Sequence, residues 1–593
     1  MRKTIKRLGA VLLAMAMAVS VLCTGALAAE NYTLTIRDSN KDHKYTAYQV
    51  FAGTVDTDKK LSVTGWGSGV DTSTTVSDKI LVQAIQAIQV GNTTPFAGKT
   101  EPGDIAAALG EATDNAVATA FADVVANYLK EDKGTSTGEW TNAVKDGDKI
   151  TTPAHYTITN LEGGYYFVKS ANDADKTDVA NTRYMLEVVG DATVEAKNGV
   201  PTVDKTVQNT NNTDKNFADT TTAQVGQTVN FKLTGTLPSN YDYYKSYKYI
   251  FHDTLSEGLT LTNEQQNELF VKVYASQTDA DSDKDGSSST VGTKLDTGDY
   301  TVNVTSSADT TKTTSLKVAF ADLKTIKKDD NSALITKDSV IVIYYKATVN
   351  SSATAGSTGN LNSVKLEYNN DPNNGGTGTT KPDEVSVFTF KLDITKVKKG
   401  EATKKLAGAK FVLSTRADLK IDVADSDENL DGNVTNQLIK VTGTTPDYVI
   451  NDGTNANAAG QYIMETAAGD NLGKLNIAGL NKGVYYLYET KAPDGYNRIT
   501  EPIKIEITEA TTEKGTDSNF SVTSLKFKIG NGTERTVENA TTGTISANVE
   551  NTSGSTLPST GGMGTKLFYT IGGILMAGAA IVLVVRKRRS DAE

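Results

Sequence analysis

Three histidines, one cysteine and two acidic runs are the residues of this 593-residue chain most readily suited to catalysis or metal binding. None is arranged for conventional catalysis. His43, His155 and His252 are scattered, with no pair at metal-ligand spacing and no Cys-x-x-Cys. No Gly-x-Ser-x-Gly, phosphate loop or dinucleotide fingerprint occurs. The acidic runs, Asp279 to Asp285 and Asp425 to Asp431, invite a calcium reading. In the first, Asp281, Asp283, Asp285 and Gly286 fall in the right order, but the twelfth position is Gly292, where a bidentate glutamate is needed. The second places its glycine, Gly432, too late. Both read as solvated loops. No metal and no cofactor is expected, and the chain reads as a non-enzyme.

The elements at the two ends say where the chain works. Arg2, Lys3, Lys6 and Arg7 precede an apolar stretch from Leu8 to Leu22, and Ala26-Leu27-Ala28 offers a small-residue cleavage site. Residues 1–29 are therefore a secretion signal. The only cysteine, Cys23, lies inside it, and bulky Leu22 before it argues against a lipoprotein cysteine. The exported chain has no thiol and needs a source of stability other than disulfides. At the other end an apolar run from Leu567 to Val585 would span about 28 Å as a helix, enough to cross a bilayer. Arg586, Lys587, Arg588 and Arg589 follow it and would stay cytoplasmic. Acidic residues (71) outnumber basic ones (60), for a formal charge of −11, so no nucleic-acid partner is expected.

Just outside that run stand Leu557, Pro558, Ser559, Thr560 and Gly561. Motif, apolar helix and basic stop together resemble the sorting signal of Gram-positive surface proteins. The resemblance implies that a sortase cuts between Thr560 and Gly561 and passes the Thr560 carbonyl to an amine. The helix is then a transient membrane intermediate, and the product is held on peptidoglycan at the cell surface.

Between the ends, Val and Ile alternate with Thr, Asn, Asp, Gly and Tyr, which predicts mostly strands and turns. Three units are expected: 30–198, 199–387 and 388–553, followed by the sorting region 554–593. The first carries helix-like patterns over 79–93 and 104–130. An internal repeat links the first and third: Asn160-Leu161-Glu162-Gly163-Gly164-Tyr165-Tyr166-Phe167-Val168-Lys169 matches Leu480-Asn481-Lys482-Gly483-Val484-Tyr485-Tyr486-Leu487-Tyr488-Glu489. Both units resemble the collagen-adhesin B-type domain, an immunoglobulin-like β-sandwich. The middle unit resembles the isopeptide-forming domain of major pilins. The implied fold class is mainly β, as tandem sandwiches, with some helix in the N-terminal unit.

Domains of this kind often tie their first and last strands by a spontaneous Lys–Asn isopeptide bond. That chemistry needs a neutral lysine, a polarised asparagine carbonyl and a carboxyl group to shuttle protons, and burial favours it. In the third unit, Tyr488-Glu489-Thr490-Lys491-Ala492-Pro493-Asp494-Gly495-Tyr496 resembles the family's glutamate box. The resemblance assigns Lys396 as nucleophile, Asn551 as electrophile and Glu489 as acid, with Asn548 a poorer electrophile. In the second unit it assigns Lys205, Asp253 and Asn370, with Asn369 and Asn373 as alternatives. In the first unit Lys169 falls where the third has Glu489, and the first strand offers Arg37 or Asp38 in place of a lysine. A guanidinium stays protonated and cannot attack, so no such bond is expected there. Each cross-link would close a loop of about 150 residues or more, worth roughly 5 kcal/mol in the chain-entropy model, and would carry load between the terminal strands.

Lys197, in Val194-Glu195-Ala196-Lys197, lies at the boundary where major pilins place the lysine that accepts the next subunit's threonine carbonyl. Glu195 and Ala196 replace the usual Tyr-Pro, and a plain solvated lysine is the other reading. The resemblance implies the shaft subunit of a sortase-assembled pilus, with a sortase, neighbouring subunits and peptidoglycan as partners. The alternative is a monomeric wall-anchored adhesin whose first unit binds a host surface ligand.

Overall fold

The computed structural model describes residues 31–38, 43–112, 115–130, 139–141, 144–146, 149–152, 154–172, 181, 183–196, 199–212, 216–306, 312–372, 376–421, 435–452, 461–515, 519–553 and 563–590. The secretion signal, Lys197, Asn373, the run Asp425 to Asp431 and the motif Leu557 to Gly561 lie outside the described residues.

Alternation of apolar and polar side chains builds three sandwiches in sequence. In the first, one sheet has the order Ala192–Glu195, Tyr32–Arg37, His155–Leu161, Glu139–Thr141. The other runs Leu61–Trp66, His43–Val55, Gly164–Asn172, Arg183–Val188. Leu34, Ile36, Tyr45, Ala47, Tyr156 and Tyr166 are buried between them. The second sheet is covered on both faces, because three short helices pack on its outer side against Tyr48, Phe51, Tyr165 and Phe167. That is why Tyr48 to Phe51 reads as an unbroken buried run rather than an alternating one. The helices are Leu81–Gln86, Pro102–Glu111 and Asn115–Val125, shorter than the sequence patterns over 79–93 and 104–130 predict.

The third sandwich repeats this topology. Its first strand, Phe390–Lys398, lies parallel to its last, Thr544–Asn551, and antiparallel to Lys474–Leu480. In the first sandwich Tyr32–Arg37 likewise lies parallel to Ala192–Glu195 and antiparallel to His155–Leu161. The two halves of the sequence repeat therefore occupy the same place in the two sandwiches.

The middle sandwich pairs two larger sheets. One has Val203–Gln208 at its edge, then Thr228–Thr236, Val340–Val349 and Phe270–Tyr274. The other centres on Asn360–Asn369 and Tyr249–Leu255, with Asp383–Phe388 beside Asn360–Asn369. The strand Asp383–Phe388 extends the sheet beyond Asn370. The cores of the second and third sandwiches merge into one apolar cluster. After them comes the helix Met563–Ser590, whose segment Tyr569–Arg588 is apolar and long enough to cross a membrane (mean hydropathy 1.8).

Candidate functional site: two buried lysine–carboxyl–asparagine groups

Period two places the third unit's chemistry. Along Phe390–Lys398 the side chains of Phe390, Leu392, Ile394 and Lys396 all point to the core. Along Thr544–Asn551 the inward set is Ile545, Ala547, Val549 and Asn551, while Asn548 is exposed. A lysine and an asparagine thus stand in apolar phase at the same end of two parallel neighbours. Glu489 arrives from the facing sheet, opposite Phe411. Lys396, Glu489 and Asn551 are all at least 98 % buried.

Lys396 Nζ lies 3.1 Å from Glu489 Oε1 and 5.4 Å from the centre of the Phe411 ring. Asn551 Nδ2 donates to Glu489 Oε2 at 2.9 Å and to the Asn497 carbonyl at 2.6 Å. The Ile499 N–H donates to the same Oε2 at 2.7 Å. Despite the 3.1 Å approach, Lys396 Nζ and Glu489 Oε1 are not aligned for a hydrogen bond, and Asn551 Oδ1 has none either. Each buried polar atom left unsatisfied costs about 1–3 kcal/mol. Burial pulls the Lys396 amine down to about 8, partly offset by the Glu489 carboxylate. All three sequence-assigned residues of this unit are brought together.

In the middle unit the structure brings together Lys205 and Asp253 but not Asn370. Lys205 Nζ lies 2.6 Å from Asp253 Oδ1, with both side chains fully buried. Burial lowers the Lys205 amine to about 8 against the pull of Asp253. Asp253 is paired with Val364 in the neighbouring strand. Asn370 is six residues further along, about 20 Å at 3.3 Å per residue. It sits past the strand end, and its carbonyl accepts from the Asn181 N–H of the first unit. Asn369 is also turned away, its Oδ1 taken by the Lys248 N–H.

The asparagine near Lys205 and Asp253 is Asn362, which sequence reasoning missed. It is fully buried and donates through Nδ2 to the Tyr345 hydroxyl at 2.6 Å. Tyr345 in turn donates to Asp253 Oδ2 at 2.6 Å and receives Lys205 Nζ at 3.2 Å. Asn362 Oδ1, like Asn551 Oδ1, is buried without a hydrogen bond. The overlooked signal was phase: Asn360, Asn362, Val364, Leu366 and Tyr368 all face inward along one strand. An asparagine in apolar phase two residues before Val364 was visible in the sequence.

The first unit has no counterpart among its described residues, where no lysine is buried. Near the end of its first strand Asp38 accepts from Tyr45 OH at 2.7 Å and meets His43 Nδ1 at 2.6 Å. Lys169 lies over the Tyr48 ring. The acidic run at Asp279 also differs from its expected solvated form: Asp283 is buried and paired with Lys272.

Comparison with known proteins follows the same division. Residues 391–520 match the model of the SpaA prealbumin-like fold domain, and residues 549–592 match the LPXTG cell wall anchor motif. The trypsin-resistant surface T6 protein of Streptococcus pyogenes serotype M6 is 24% identical over 429 residues, covering 67% of this chain and 70% of T6. Among solved structures, the T6 backbone pilin covers 88% of this chain and 98% of its own (16% identity, TM-score 0.45). The major pilin SpaA of Corynebacterium diphtheriae covers 88% of this chain and 100% of its own (12% identity, TM-score 0.41). The chain is thus a Gram-positive surface protein with an LPXTG anchor, whose partners include a sortase and peptidoglycan. Its third sandwich is a prealbumin-like domain of the SpaA type.

Proposed function

We propose that the chain is the shaft subunit of a covalently assembled cell-surface pilus, and that its second and third sandwiches are each locked by a Lys–Asn isopeptide bond. The observation that carries the reading is the pair of buried lysine–carboxyl–asparagine groups upstream of a cell-wall anchor motif. The bonds join Lys205 to Asn362, with Asp253 as acid, and Lys396 to Asn551, with Glu489 as acid. Burying an ammonium beside a carboxylate is costly. Converting the lysine to an amide removes both charges and relieves the unaligned atoms. Each bond forms once, with loss of ammonia, so the chain reacts with itself without turning over substrate.

The units proposed are 30–198, 199–387 and 388–553. Assembly follows from the sorting signal and the sequence likeness to T6, which its own structure describes as a backbone pilin. The Thr560 carbonyl of one subunit passes to Lys197 of the next, a lysine placed between the first two sandwiches by sequence. Detergent-boiled wall extracts should give a ladder of multimers that collapses in a Lys197→Ala strain. A single band from unmutated cells sinks the pilus reading and leaves the monomeric adhesin. For the internal bonds, the intact mass should fall short of the sequence mass by about 17 Da for each ammonia lost.

A further inference from the structure

The two reactive groups differ in how the acid meets the amide. In the third unit Glu489 Oε2 receives Asn551 Nδ2 directly. In the second unit both oxygens of Asp253 are engaged elsewhere, Oδ1 by Lys205 and Oδ2 by Tyr345. Asn362 Nδ2 reaches the acid only through the Tyr345 hydroxyl.

We propose that Tyr345 is a catalytic proton relay for the Lys205–Asn362 bond, an element the third unit does not use. The inference rests on the isopeptide reading above. A phenol has one proton to give and two lone pairs to accept with. Tyr345 uses all three: it donates to Asp253 Oδ2 and accepts from Lys205 Nζ and Asn362 Nδ2. Its hydroxyl therefore touches the nucleophile, the acid and the leaving group at once. The ring is fixed, stacked on Phe231 at 5.0 Å, and is almost wholly buried. Burial, reinforced by Asp253, holds the phenol far above its ordinary range, so it passes protons without resting as a phenolate.

The atoms balance as follows. Lys205 Nζ begins with three protons. One passes to Asp253 Oδ1, leaving a neutral amine. Nζ attacks Asn362 Cγ, and the Nζ–Cγ bond forms. Tyr345 gives its proton to Nδ2 and takes a replacement from Nζ. The Cγ–Nδ2 bond breaks and Nδ2 leaves with three protons as ammonia. One proton stays on the new amide nitrogen. The proton on Asp253 remains there or leaves with ammonia as ammonium. No other reactant is needed.

The test is Tyr345→Phe in the full chain, which keeps the stacked ring. Cross-linked peptides are quantified by mass spectrometry at intervals after synthesis. A positioned acid–base group contributes about 10²–10⁴-fold. The Lys205–Asn362 peptide should therefore form at least about 100-fold more slowly, while the Lys396–Asn551 peptide of the same molecules forms at its usual rate. Formation of the Lys205–Asn362 link at the unmutated rate overturns the relay. If the unmutated chain lacks that link, as a Lys205→Ala chain must, it is the isopeptide reading that has failed. Should Tyr345→Phe misfold, the unmutated chain decides. Two protons moving through a relay should give the Lys205–Asn362 link a larger solvent deuterium effect than the Lys396–Asn551 link, and equal effects overturn the proposal.

Discussion

Lys272 and Lys396 are both buried beside a carboxylate, yet they are built for opposite ends. The Lys272 ammonium donates to Asp283 Oδ2 at 2.5 Å, to the Ser288 carbonyl at 2.8 Å and to the Gly286 carbonyl at 3.4 Å. Tyr274 supports the same carboxylate at 2.9 Å. All three ammonium protons have acceptors, and Asp283 is held by Lys272, Tyr274 and the Ser288 N–H rather than by an asparagine side chain. Lys396 has a carboxylate at 3.1 Å but no aligned hydrogen bond, and that carboxylate also holds an asparagine amide. Burial of a lysine therefore does not mark a nucleophile. The lysines proposed as nucleophiles differ from Lys272 in having an acid that is linked to an asparagine amide, directly at Glu489 and through Tyr345 at Asp253.

The largest effect that sharpens this contrast comes from removing the acid. Glu489→Ala should abolish the Lys396–Asn551 link and strand Lys396 in the core. The mass deficit should drop by one ammonia, with a loss of roughly 5 kcal/mol from the lost loop closure alone. Retention of the full deficit by this variant contradicts Glu489 as acid. Close in size, Asn362→Ala should remove the second link, while Asn370→Ala should leave the mass deficit intact. The reverse result restores the strand-end asparagine. Next comes Lys272→Met, which leaves Asp283 buried and unpaired and should cost about 3–5 kcal/mol in chemical denaturation. Because Lys272 is not a nucleophile, both internal cross-links should survive; loss of either one breaks the comparison.

A smaller effect is a pH dependence. In Asn551→Ala the lysine cannot react. Its folded-state affinity for protons is lowered to about 8, below the unfolded value of 10.5, so between these limits the unfolded chain binds more protons. Stability should therefore rise with pH across that window, relative to the cross-linked chain. A flat difference curve would mean Lys396 is not desolvated. Smallest of all, Asn548→Ala on the exposed face of the same strand should change stability by under about 0.5 kcal/mol and leave the cross-link in place.

The third unit's site was legible because one rule suffices: Lys396 and Asn551 stand in apolar phase on strands whose alternation is clean. The second unit was legible only in part. Lys205 and Asp253 obey the same rule, following the phase of Val207 and of Phe251 and Leu255. Asn362 was hidden by the premise that the electrophile closes the last strand, when Asp383–Phe388 follows it in the sheet. Tyr345 was invisible for another reason. In the strand Val340–Val349 nearly every residue is buried, so an aromatic there reads as filler, and only the partners of its hydroxyl set it apart. Asp283 was masked by its setting in a polar run, since burial of a single member depends on the distant Lys272. The first sandwich's helices are shorter than the patterns over 79–93 and 104–130 predict because the helical period of the sequence continues past their ends.

The parallel placement of Phe390–Lys398 and Thr544–Asn551 decides how the proposed Lys396–Asn551 bond would carry a pull. With Lys396 bonded to Asn551, a pull on the two ends of the third sandwich runs from Phe390 to Lys396 and crosses directly to Asn551. Only those few residues can be drawn straight. The roughly 150 residues between them would pay out about 500 Å if released, but they lie on a closed side loop. With that bond the third sandwich would behave as a strap of fixed length, whereas in the middle sandwich the residues after Asn362, the strand Asp383–Phe388 among them, lie outside the loop that Lys205–Asn362 would close and remain free to extend.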